Sequence, residues 1–130
     1  MTELQSEIIS LDCETLDTVI AWQQSAGARE VCAFCAVDSF GKQHLLQLTN
    51  HAGLPDAFEI SSAEESVAKS AASQRDWRII AFVHTHPSDP PDLSARDTCW
   101  FVRDTLPWII VGTPITNPSQ RTFVQNAAFY

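Results

Sequence analysis

The sequence predicts a single α/β domain. Two observations carry this. Stretches with helical period alternate with short apolar runs bounded by turn residues, the pattern of a sheet flanked by helices. The chain has 130 residues, 45% of them hydrophobic, which is enough for one core. No repeat, linker or low-complexity segment divides it. We therefore take residues 1–130 as one domain, with 1–10 a loosely held lead-in that carries at most a short strand at Ile8-Ile9.

The first helix is expected from Asp12 to Ala26. Leu16, Val19, Ile20 and Gln23 follow the i, i+3, i+4, i+7 stripe, and only the last is polar. Asp12 suits the N-cap and Gly27 a left-handed stop. Glu30 to Asp38 reads as a strand apolar on both faces, hence central and covered on both sides. Ser39-Phe40-Gly41 turns the chain, and Lys42 to Thr49 returns as a second strand. Asn50 to Ile60 has no clear period and reads as a loop, with a short strand around Ala57 to Ile60. Ser61/Ser62 with Glu64/Glu65 is a capping-box pattern ahead of an alanine-rich helix, Ala63 to Gln74. Trp77 to His86 is the next strand, and Ser94 to Thr105 a third helix broken by Leu106-Pro107. Trp108 to Val111 is a buried strand ending at Gly112. Thr113 to Gln120 reads as a loop and Arg121 to Tyr130 as a last, edge strand. The sum is a sheet of roughly five or six strands with three helices.

Eight Lys plus Arg against sixteen Asp plus Glu leave a net charge of −8, which argues against a nucleic-acid partner. No apolar run reaches the ~18–20 residues of a membrane span. The acidic start, Met1-Thr2-Glu3-Leu4-Gln5-Ser6-Glu7, lacks the basic-then-apolar pattern of a signal peptide, so a cytoplasmic location is expected. Cys32 and Cys35 have Cys-x-x-Cys spacing but lie inside a strand, where residues three apart face opposite ways. They are expected to be buried, reduced core thiols. Trp100 and Trp108 are expected in the core, while Trp77 is left open.

The chemistry concentrates in one stretch. His84 and His86 end an apolar run and, being two apart on a strand, present their rings to one face. A proline-rich loop follows, then Ser94-x-x-Asp97 in the first turn of a helix. Two imidazoles and a carboxylate at one point make three protein ligands, which for zinc leaves a fourth position to water. Ser94-x-x-Asp97 also reads as a plain capping motif, and both roles are compatible. Asp89 and Asp92 are rival carboxylates in the loop, while His44 and His51 fall on a strand surface and in a loop. Histidine ligands must be neutral, so metal binding is expected to weaken below about pH 6.

His84-Thr85-His86, seven residues, then Ser94-Ala95-Arg96-Asp97 resembles the signature of the JAMM metalloproteases, also called MPN or JAB domains. The resemblance covers most of the chain. It implies a curved mixed sheet between helices and one zinc ion per chain held by His84, His86 and Asp97. It implies that a glutamate at the start of the first core strand, here Glu30, is the general base. Ser94 would hold the water or donate to the oxyanion of the tetrahedral intermediate. The bland alternative for Glu30 is a surface pair with Arg29 or Arg96. Ala33 departs from the family, where many members carry glycine. The short bacterial members that this chain resembles act on the C-terminal tails of ubiquitin-like and sulfur-carrier proteins. Two other readings stand beside that one: a phage tail-assembly peptidase, whose sequences resemble Ser94 to Trp100 and Leu106 to Val111 as well, and a non-catalytic MPN scaffold.

Overall fold

Asp12 starts the first helix, its side chain accepting a hydrogen bond from Thr15 N at 2.9 Å. The helix, α1, runs from Cys13 to Ala26 and stops at Gly27, whose φ is +69°. The computed structural model describes residues 9–54, 57–101, 105–112 and 119–124, without the side chains of 99–101. After α1 come β1 (Cys32–Val37), β2 (Gln43–Leu48), α2 (Ser62–Gln74), β3 (Arg78–His86), α3 (Ala95–Phe101), β4 (Trp108–Gly112) and β5 (Ser119–Phe123).

The strands form one mixed sheet in the order β2-β1-β3-β4-β5. Only β3 and β4 are parallel, joined through α3. The other pairs are antiparallel. A register shift between Cys35 and Ala36 bends β1 against β3, as a bulge does.

Both sheet faces are covered, as the two-sided apolar pattern of β1 requires. On one, Val19 and Leu16 of α1 pack with Cys35, Ala81, Val83, Ile109 and Val111. On the other, Cys32, Phe34, Phe82 and Trp108 pack with Ala68 of α2 and with Phe58 and Ile60 from the loop before it. Cys32 and Cys35 thus face opposite layers, both buried and free. Ala81 and Val83 of β3 join the α1 layer, and Phe82 joins the α2 layer together with the rings of His84 and His86. Before them the alternation is offset at the register shift, with Ile80 in the α1 layer and Ile79 in the α2 layer.

The element boundaries differ in places from the sequence expectation. Glu30 and Val31 precede β1 rather than lying within it. Ala57 to Ile60 forms no strand, because its backbone is tied instead to Asn50 and His51. The last strand begins at Ser119, inside the expected loop, since it pairs from Gly112↔Ser119 back to Trp108↔Phe123. Val124 is already outside it, and 125–130 lie outside the described residues. The third helix is described from Ala95 to Phe101 and Thr105 is non-helical, while 102–104 lie outside the described residues. Within the lead-in, Ile8 lies outside the described residues. Ile9 packs on the core without joining a strand, and Leu11 is held on both sides by the Gln120 side chain at 2.9 and 3.0 Å. No described helix is long and apolar enough to cross a membrane.

Candidate metal centre

The parallel pair β3–β4 ends at His86 and Gly112, which lie side by side. Open α/β sheets commonly bind ligands beyond the carboxyl ends of such strands. Here the loop after β3 folds back over the end of β4. A Cβ at Gly112 would stand 2.5 Å from Pro91 N and 2.9 Å from the Asp89 carbonyl oxygen, so only glycine lets the proline loop lie this close. That loop places the Pro90 carbonyl 2.9 Å from His86 Nδ1. The Nδ1–H donating there leaves Nε2 as the ligating nitrogen.

The helix start brings in the carboxylate. Ser94 N donates to Asp97 Oδ2 and Asp97 N donates to Ser94 Oγ, both at 3.1 Å. The capping reading of Ser94-x-x-Asp97 is therefore real, and the same carboxylate also reaches the histidines. Asp97 Oδ2 lies 2.8 Å from His86 Nε2, and Oδ1 lies 3.1 Å from His84 Nε2. The His86 contact is an aligned hydrogen bond, whereas the His84 contact is close without hydrogen-bond alignment.

One ligand atom from each of Glu30, His84, His86 and Asp97 falls within 4.8 Å of all the others, and all four residues are buried. Glu30 is therefore buried rather than on the surface. Ser94 is exposed beside them, on the wall of the cleft that also shows Glu30 and His86. Asp89 and Asp92 stay on the surface, with Asp92 paired to Arg121. His51 is exposed, 3.5 Å from Glu64, and His44 stacks on Trp77 at 3.9 Å and meets Asp38 at 3.0 Å. Trp77 thus packs on β2, away from the cluster. Trp108 is core, and Trp100 lies outside the described side chains.

The electrostatics follow from burial and from the one carboxylate between two rings. Burial pushes His84 down, against the pull of Asp97, and favours the neutral ring that a metal requires. Burial acts the same way on His86, but the Asp97 hydrogen bond, the Pro90 carbonyl and the Asp97 and Glu30 charges outweigh it and raise His86 to about 9. For Asp97, burial would raise the carboxyl, yet the two histidines and Ser94 N hold it well below the usual carboxylate range.

The donor set fits zinc. Both ring nitrogens of His84 are buried without a hydrogen bond, and its ring is boxed by Phe58, Phe82 and Trp108 at 5.0–5.7 Å. A buried polar group without a hydrogen bond costs about 1–3 kcal/mol, which coordination by Nε2 would offset. Two imidazoles and a carboxylate match a zinc ion with three protein ligands.

Two clefts meet at this centre. One of about 540 Å³ is lined by Ala52, Leu54, Phe58, Ile60, Arg96 and Asp97. The other, of about 490 Å³, is lined by Glu30, His86, Asp92, Ser94 and Arg96. The loop residues Leu54 and Phe58 are site-wall residues that the sequence did not single out, and Arg96, weighed there only as a pair for Glu30, lines both clefts. A loop without period gives no sign of which way its side chains face.

The family of prokaryotic homologues of the JAB domain matches residues 13–126, so the chain belongs to that family. Among solved structures, it is similar to a protein of Desulfitobacterium hafniense at TM-score 0.77 and 19% identity, covering 89% of this chain and 83% of that one. It is also similar to a JAB1/MPN domain protein of Archaeoglobus fulgidus, at TM-score 0.57 and 21% identity over 84% of this chain and 82% of that one. A protein of Salinibacter ruber gives TM-score 0.57 at 16% identity, over 89% and 81%. These likenesses concern the fold. No curated protein matches the chain.

Proposed function

We propose that this chain is a zinc-dependent peptidase or isopeptidase that cuts the amide after the C-terminal tail of a ubiquitin-like or sulfur-carrier protein. One observation carries the catalytic part: two histidines and a carboxylate, buried together, meet a second acidic side chain that comes from a different part of the chain. A purely structural site would be closed by its ligands, whereas this one lies between two open clefts. The substrate class rests on the resemblance to the short bacterial JAMM members.

His84, His86 and Asp97 would hold the ion. A zinc ion so held lowers the pKa of water and polarises a carbonyl. Glu30 accepts a proton from the attacking water as its oxygen bonds to the amide carbon. Glu30 then returns that proton to the nitrogen as the C–N bond breaks, leaving a free amine and a carboxylic acid, which gives up its remaining proton to solvent as a carboxylate. Ser94 Oγ accepts from Asp97 N, which leaves its own O–H to donate to the developing oxyanion. The phage tail-assembly reading shares this chemistry and differs only in substrate. The scaffold reading has less support, because the ligand set is complete.

The test is hydrolysis of a ubiquitin-like protein with a C-terminal extension by the zinc-loaded chain, with Glu30→Gln alongside. Cleavage after the terminal glycine is expected, reduced about 10²–10⁴-fold in Glu30→Gln with zinc content unchanged. Zinc bound with no cleavage would count against this substrate class. Equal cleavage by Glu30→Gln would remove Glu30 as the base.

A further inference from the structure

Glu30 precedes the first residue of β1, so the sheet ladder does not set its position by itself. The backbone on either side of it, Arg29 to Val31, is gripped by three side chains from three other parts of the chain. Gln23 of α1 donates from Nε2 to the carbonyls of Arg29 at 2.9 Å and Gly27 at 2.8 Å. Asn50, after β2, donates from Nδ2 to the Glu30 carbonyl at 3.0 Å. Thr85 of β3 accepts from Val31 N at 2.9 Å through Oγ1, while its own N–H donates to the Val31 carbonyl at 3.1 Å. The Thr85 hydroxyl in turn donates to Gln23 Oε1.

We propose that Gln23, Asn50 and Thr85 are positioning residues that clamp the Arg29–Val31 backbone and so set the Glu30 carboxylate against the histidine pair. The inference rests on the reading of Glu30 as the base. Its force lies in the hydrogen-bond inventory. Gln23 spends both amide hydrogens on the two carbonyls and its oxygen on Thr85. Thr85 spends its proton on Gln23 and a lone pair on Val31 N. Each partner therefore has one satisfying orientation. Thr85 lies between the two histidines on β3, but its side chain faces the α1 layer, so it cannot be a ligand. Through it, the strand that carries His84 and His86 is fastened to the segment that carries Glu30. Gln23 and Thr85 are both buried, where a lost partner is not replaced by water.

Asn50 extends the clamp to the wall of the larger cleft. Its Nδ2 also donates to the Ala57 carbonyl at 3.0 Å, and its Oδ1 accepts from Ala52 N at 2.9 Å and Glu59 N at 3.0 Å. Ala52, Ala57 and Glu59 all line that cleft. The same side chain thus holds the cleft loop and the base segment in one register.

The test reads Glu30 directly, by carbon NMR of the full chain labelled in its glutamate carboxyls. The Glu30 signal is assigned by its loss in Glu30→Gln, and the response to one equivalent of zinc is recorded. Thr85→Val keeps the shape and removes both hydroxyl bonds, Thr85→Ser keeps them, and Gln23→Met breaks the clamp from the helix side. Zinc is expected to shift the Glu30 signal fully in the unmodified chain and in Thr85→Ser. In Thr85→Val and Gln23→Met, which still bind one zinc, the shift should fall to about half or less, and kcat on any cleaved substrate should fall about 10–100-fold with KM little changed. A full shift in a folded Thr85→Val or Gln23→Met chain overturns the clamp alone. No shift in the unmodified chain overturns the placing of Glu30 at the metal, and the clamp with it.

Discussion

At the scale of single residues, the proposed metal site turns on His84 and Asp97. The Asp97 carboxylate touches both rings, so Asp97→Asn should weaken zinc binding by at least about 100-fold, measured by competition with a chelator. These residues were legible because strand alternation and helix-start spacing are rigid local rules. Glu30 was legible only through the resemblance, since no local rule ties a strand start to a site some fifty residues on. Gln23 left a trace, as the polar break in an otherwise apolar helical stripe, while Asn50 left none. The cysteines give a pH prediction. Burial, with a smaller push from the Asp12 charge, raises Cys35 from 9.0 to about 11. A raised thiol favours folding below the unfolded value and loses that contribution as pH climbs through the folded one. Stability should therefore drop between about pH 9 and 11, by about 2–3 kcal/mol from Cys35, in denaturant titrations. At pH 8 a thiol reagent should label exposed Cys13 quickly and buried Cys32 and Cys35 only on unfolding.

At the scale of elements, the site depends on three ends meeting: the close of β3, the start of α3, and the turn from α1 into β1. The proline loop is held by its contact with Gly112, so Gly112→Ala should push it away and withdraw the Pro90 carbonyl from His86. The expected result is a loss of about 1–3 kcal/mol in unfolding free energy, with zinc affinity about 10-fold lower or worse. Unchanged zinc affinity would mean that the Pro90 contact does not orient His86. The period rules found the helices and strands of the described residues, but they missed where the last strand starts. Ser119 and Gln120 carry no strand signal of their own, and they become strand because β4 offers an unpaired edge there.

At the scale of the whole molecule, the cluster joins the segment before β1, the end of β3 and the start of α3, so metal and fold should be linked. Zinc at about one hundred times its dissociation constant should add about 2.7 kcal/mol. For a domain of this size that is a rise of about 8–13 °C in melting temperature, reversed by a chelator. The α/β class was legible from alternation alone, but the sheet order was not, since one parallel pair among antiparallel neighbours depends on packing across the whole chain. The most direct test of the metal centre is the zinc retained per chain after loading and desalting, in the unmodified protein and in His84→Ala. One zinc per chain, falling below about a tenth of that in His84→Ala, is the expected result. An unmodified chain that retains no zinc, or a His84→Ala chain that retains as much, would contradict the metal centre.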